Sequence, residues 1–298
     1  MLKCSVRKIQ DQFHKELESN RNSEKLFDRM YTAINRNIFI YRWHSQMFGM
    51  SNKNEIFQTI AKIDIQKEIL MFIRAMCERH HEGLQEFMLE QKHYKTQYNM
   101  IKLLVNYLET LVKEIKVIND REPNMITDED LNRIPARKDL CYQHSKLALK
   151  ALTETIQGGN RKNQEAIVDS GLLVIASGIF ELNFVYEDSK KEYVDCYFSN
   201  NQLCKIKNEC AVLLLGLLEQ RYENDQIVIK MRQFIKEDTL LLNLSFVYYT
   251  FTLETNGHYD AEYLFDDEAA NNFLLMLGFN ILFLLKKWIE LYPSYTCT

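Results

Sequence analysis

Two glutamates stand where a helix is least able to keep them. The carbonyl end of a helix carries partial negative charge, so an acid in its last turn costs about 0.3–1 kcal/mol unless a cation offsets it. Glu78 lies just before the break after one long helical pattern, and Glu154 lies one turn before the Gly158-Gly159 stop of another. Gln157, at i+3, shares the face of Glu154 and adds a side-chain oxygen. Should the two helix ends be neighbours, the carboxylates and the amide would form a hard, oxygen-rich pocket suited to calcium. The blander alternative is a pair of solvated surface acids. Glu219 favours it, because a third helical pattern ends in a glutamate too. Calcium asks for roughly six to eight oxygens and these side chains offer no more than about five, so the expected site is partial and weak.

Other chemistry fails on spacing. A phosphate-binding loop needs Lys and Ser or Thr after its glycines, whereas Gly158-Gly159 is followed by Asn160, Arg161, Lys162 and Asn163. Backbone N–H groups at 163–165 with Arg161 and Lys162 could draw an anion, but a solvated helix start is the simpler reading. In HHEGLQE the position four after His81 is Gln85, so the zinc-protease pattern lacks its second histidine. Cys196, Cys204 and Cys210 do not have finger or ribbon spacing. Asp266, Asp267 and Glu268 lack the alternation and glycine of an EF-hand loop. No serine or cysteine sits in a nucleophile turn, so nothing in the sequence asks for an enzyme.

The elements that must position the acids follow from composition. In 298 residues, 46% hydrophobic, there are only three prolines and nine glycines. That is ample apolar surface for a core and a strong bias toward long helices, so the predicted fold class is all-α. A formal charge of −4 leaves no basic surplus for a nucleic-acid backbone. The chain has seven cysteines and opens on a charged, amphipathic stretch over 1–20 rather than a secretory signal, which suits reduced thiols in the cytoplasm. Two apolar runs, 239–253 and 273–285, are shorter than the roughly 20 residues of a membrane span. They are read as buried core helices, and no membrane span is expected in this chain.

Ile69, Phe72, Ile73 and Met76 fall at i, i+3, i+4 and i+7, predicting a helix over 65–80. A short helix over 83–91 and a long one over 98–118 come next. The order recurs as a helix over 140–157, a short helix from Asn163 and an apolar helix from Leu172. A third copy starts at Glu209, turns at 222–224 and continues as DQIVIKMRQ. Gln85, Gln164 and Gln226 mark the copies at unequal spacing, the pattern of an irregular helical solenoid. Residues 119–139 read as an inserted loop with a helical turn capped at Thr127. The stretches 186–202 and 254–272 read as charged connections. Residues 1–60 form helices of their own, interrupted near 49–54, and 61–298 form the repeat domain.

The segments FIRAMCERHHEGLQEFMLEQ (72–91), ALTETIQGGNRKNQ (151–164) and LLLGLLEQ (213–220) resemble the homology-associated domain shared by ryanodine receptors and inositol-trisphosphate receptors. GFNILFLLKKWIELYP (278–293) is similar to that domain's last helix, so the resemblance spans most of 65–293. It implies an armadillo-like part of the cytosolic core solenoid of a tetrameric calcium-release channel, at the endoplasmic reticulum membrane, linking ligand-binding regions to the pore. The partners it implies are the other domains or subunits of that channel. The family pattern places the activating-calcium acids at Glu78 and Glu154, with Gln157 matching a nearby glutamine and a further carbonyl coming from a domain after the pore. The chain departs from the family at Gly159-Asn160, where Pro-Cys is usual, and in the 119–139 insertion. No pore helices are present. A free-standing armadillo-like interaction scaffold is the other reading, marked by calcium-independent capture of partners.

Overall fold

A computed structural model of the chain describes residues 2–46, 65–119, 134–184, 193–255 and 268–291. Among these the protein is all-α: twelve helices and no strand. It divides into two compact units, Met1–Gly171 and Leu172–Thr298.

The first unit holds α1 (Leu2–Ser19), α2 (Arg21–Gln46), α3 (Ile65–Cys77), α4 (Glu82–Leu89), α5 (Met100–Asn119), α6 (Ile134–Ile156) and α7 (Arg161–Asp169). Each forms where an apolar stripe at helical spacing meets another. On α3 the stripe is Ile69, Leu70, Ile73, Met76 and Cys77, all buried, and it packs on α6. Helix α5 lies between α2 and α6, with Leu104, Tyr107, Leu108 and Leu111 fully buried. Between α4 and α5 the buried Gln91 fastens the chain, donating to Tyr98 O at 3.0 Å and accepting from Tyr98 N at 2.8 Å.

The second unit holds α8 (Leu172–Glu181), α9 (Tyr193–Leu217), α10 (Gln226–Phe234), α11 (Glu237–Thr255) and α12 (Glu268–Leu291). Helix α12 packs on α9 and α11, and α8 on α9, α10 and α11.

Several expectations need correction. The connection read at 186–202 is helical from Tyr193 onward, and the acidic stretch at 254–272 is helical through Thr255 and again from Glu268. The insertion gives way to α6 at Ile134, with Pro135 in the first turn, where its missing N–H costs nothing. The turn capped at Thr127 and the interruption at 49–54 lie outside the described residues. Gln226 is not the equivalent of Gln85 and Gln164. Those two are buried and lie four residues past their N-caps, His81 and Asn160, whereas Gln226 opens its helix in solvent. Nor are the two apolar runs buried all round. Helix α11 exposes Leu241, Leu242, Tyr248 and Tyr249, and α12 exposes Leu275, Met276, Phe279, Leu282, Phe283 and Ile289. Each buries only the opposite face. No helix among the described residues is long and apolar enough to cross a membrane.

Candidate functional site

The two acids sit at matching corners. Helix α3 ends at Cys77, and after Glu78 the chain takes two left-handed residues, Arg79 (φ 64°) and His80 (φ 57°). His81 then caps α4, its Nδ1 accepting from Leu84 N–H at 3.2 Å. Helix α6 ends in the same way: Gln157, then Gly158 (φ 84°) and Gly159 (φ 78°), then Asn160 capping α7 through Asn163 N–H at 3.1 Å. The second corner solves its left-handed step with glycine. The first uses arginine and histidine, for which that backbone costs on the order of 1 kcal/mol or more per residue. Register through the caps makes Glu78 the counterpart of Gln157 and places Glu154 one turn earlier on its helix.

The corners touch. A Cβ added to Gly158 would lie 3.0 Å from the Cβ of His80, a tight approach, and the positive φ there favours glycine in any case. Glu154 is half-buried, and its carboxyl is held above the usual carboxylate range. Burial is the main cause. Arg74 and His80 pull it back down, and the Glu78 charge pushes it further up. Glu78 is exposed. Its charge is felt at Glu154 across the two corners. Gln157 stands at the same corner, partly exposed.

Two buried glutamines decide what remains for a ligand. Gln10, on α1, donates through Nε2 to Met76 O at 3.2 Å and Glu78 O at 2.8 Å. Gln85, on α4, donates through Nε2 to Glu154 O at 2.8 Å and Gln157 O at 2.9 Å. Asn163 extends the second cap by donating to Gln85 O and Thr155 O, each at 2.8 Å. The terminal carbonyls of α3 and α6 are thus tied to neutral amides, which satisfy them without cancelling the helix-end charge. The Glu78 residue is exposed, while the Glu154 side chain keeps 15% exposure. Arg74 Nε approaches Glu154 Oε1 to 4.0 Å, a loose pair with the arginine 43% exposed.

The donor set is hard oxygen in a field of negative helix ends, which fits calcium in kind and falls short of it in number. Among the described residues no group of three His, Cys, Asp or Glu gathers as a metal site. Cys77 lies beside the pocket, but burial and then the Glu154 charge push its thiol far up, so it adds no soft ligand. Cys77, Cys141, Cys204 and Cys210 are all buried free thiols.

Sequence reading named Glu78, Glu154 and Gln157, and the structure brings three further residues to these corners. Arg74 was findable, since it lies four residues before Glu78 on the same helical face. His80 was within the quoted segment, but its approach to Gly158 depends on the left-handed corner. Gln10 comes from an element far away in sequence and left no local signal.

Helix pairs joined by capped corners, each longer helix followed by a short one, define an all-α repeat module. Residues 60–180 match the family model described as RyR and IP3R Homology associated. The match contains both corners, whereas Gln10 lies outside it.

Proposed function

We propose that the chain is a cytosolic regulatory module of an intracellular calcium-release channel of the ryanodine and inositol-trisphosphate receptor kind. In this reading it contributes Glu78, Glu154 and Gln157 to a calcium site that other domains or subunits complete, and it passes the change at that site toward a pore outside this chain. The observation that carries the reading is the electrostatic meeting of Glu78 and Glu154 at two touching helix ends inside the matched domain. When calcium is bound, its charge relieves the repulsion between the two acids. The residues of this chain do the rest. Gln10 and Gln85 fix the backbone behind each acid, and Arg74 holds Glu154 while no stronger cation is present. A ligand that draws Glu78 and Glu154 together pulls on α3 and α6, which pack against each other.

The test is the size and location of the native polypeptide, using an antibody raised to residues 119–139. A band of several hundred kilodaltons in the calcium-store membrane supports the channel reading. A band near 35.5 kDa in the soluble fraction supports the scaffold reading, which the open apolar faces of α11 and α12 favour.

A further inference from the structure

Helix α1 lies outside the matched residues 60–180 and reaches onto the corner that carries Glu78. Two adjacent residues make the grip. Gln10 Nε2 donates to Met76 O at 3.2 Å and Glu78 O at 2.8 Å, at the end of α3. Asp11 Oδ1 stands 3.1 Å from Nε2 of His81, the residue that caps α4. Since Nδ1 of that ring accepts from Leu84 N–H, Nε2 carries the hydrogen and donates to Asp11. The chain is therefore fastened on both sides of Arg79 and His80, its two consecutive left-handed residues. Phe13 meets Phe72 of α3 edge to face at 6.0 Å, and His14 lies over Gly83, where a Cβ would stand 2.7 Å from its Cε1. Gly83 is not at positive φ, so what its bare backbone provides is room for α1.

The two corners are held by different means. At α6 the left-handed pair is Gly158-Gly159, which takes that backbone at little cost, and the terminal carbonyls go to Gln85 of the neighbouring α4. At α3 the pair carries side chains that disfavour it, and the carbonyls go to Gln10 of a helix far away in sequence. That helix is lightly anchored. Over 6–19 the side chains of α1 buried outright are Gln10 and Leu17, while Ile9 is 67% exposed. Its far end is held, Leu17 O accepting from Ser23 Oγ at 2.9 Å, so the turns that grip the corner are the free arm. With so little apolar area to give up, this arm can lift at a fraction of the cost of unfolding the unit. Lifting takes the donor from Met76 O and Glu78 O and the acceptor from His81, and it frees the left-handed pair to relax. Glu78 then loses the backbone position from which its charge reaches Glu154.

We infer that α1 is a releasable clamp on the Glu78 corner: docked, it positions Glu78 for a cation shared with Glu154, and a bound cation in turn tightens α1, because coupling between two sites is reciprocal. The cation rests on the calcium reading above, whereas the clamp stands without it.

Hydrogen exchange read by mass spectrometry on the full chain, with and without millimolar calcium, tests both parts. The Asp11 side chain is 52% exposed, so Asp11→Ala leaves the packing intact, and Asp11→Asn keeps an oxygen that accepts from His81. The expected result is that Asp11→Ala speeds exchange in α1 and over 79–84 together by about 5-fold, the effect of one lost hydrogen bond. Exchange over 157–164 should not change, and Asp11→Asn should stay near the parent chain. Calcium should slow exchange in α1 of the parent chain and leave α1 of Glu78→Gln untouched, a response that a merely structural contact would not give. Faster exchange in α1 with 79–84 unmoved overturns the clamp, and so does Asp11→Ala behaving as the parent chain at both places. Calcium that protects 78–84 and 154–160 equally in the parent chain and in Asp11→Ala leaves the calcium reading standing and overturns the coupling. Calcium without effect on any amide, with the Asp11 variants behaving as expected, supports the clamp and counts against the calcium reading.

Discussion

Replacing Arg74 with methionine should tighten the binding of a divalent cation at Glu78 and Glu154. Arg74 Nε stands 4.0 Å from Glu154 Oε1 with 43% of its side chain exposed. At that separation two unit charges interact by about 1 kcal/mol in water and about 4 kcal/mol at a protein surface. Partial exposure and salt move the figure toward the lower end. A divalent ion held by Glu154 would feel the guanidinium at about twice that unit charge, and Arg74 must swing away to admit it. Removing the arginine should therefore improve affinity by about 1–2 kcal/mol, or roughly 5- to 30-fold in Kd. Methionine keeps the length and the packing of the stem. The assay is calorimetric titration with calcium at low ionic strength, where the charge interaction is least screened. Parallel titrations of Glu154→Gln and of the double variant complete the cycle. An unchanged Kd in Arg74→Met, or a gain that persists when Glu154 is also replaced, would refute the electrostatics assigned to this corner.

Three further outcomes follow from the same structure. Glu154 holds its proton to higher pH in the folded chain than unfolded, so ionising it above its ordinary value of 4.5 costs stability. Glu154→Gln should raise Tm by a few degrees at neutral pH, up to about 1 kcal/mol, and flatten the dependence above that value while weakening cation binding; a lower Tm would contradict this. Lys207 is buried with Nζ donating to Phe180 O, Leu182 O and Asn243 Oδ1, and burial pulls its pKa from 10.5 to about 7. The unfolded amine keeps its proton to higher pH, so stability relative to Lys207→Met should rise by on the order of 1–2 kcal/mol from pH 7 to 9 in thermal melts, and a flat difference would refute it. Gln85→Leu removes the donor to Glu154 O and Gln157 O and leaves both without that partner; about 2–4 kcal/mol should be lost in urea unfolding, and a loss below about 0.5 kcal/mol would show that water replaces the amide.

What the sequence made legible was local. The stripe at Ile69, Ile73 and Met76 and the Gly158-Gly159 stop mark helices and corners because helical periodicity and left-handed glycine act within a few residues. Glu78 and Glu154 stood out because the helix-end field is also local. The ends of the second and third connections were misread, since charged residues such as those at 193–202 look like loop until α9 is seen to carry them as its first turns, while 186–192 and 256–267 lie outside the described residues. The exposed faces of α11 and α12 were misread for the opposite reason. Apolar content says that a face wants burial and cannot say that the described chain leaves it open. Gln226 shows the limit of matching by residue type: its position after the cap, rather than its identity, decides whether it is buried. Gln10 and the caps made by Lys207 are contacts over long sequence separations, and a polar side chain on a helix gives no sign of which distant carbonyl it will meet.

The central claim, that the corners of α3 and α6 present one cation site, is tested most directly by locating a bound ion. Crystals of the chain soaked in terbium, a calcium surrogate with a strong anomalous signal, should show a peak about 2.3–2.6 Å from carboxylate oxygens of both Glu78 and Glu154. The peak should vanish in Glu78→Gln crystals. Terbium bound elsewhere with this corner empty, or a peak that contacts Glu154 and survives Glu78→Gln at full height, would contradict the account.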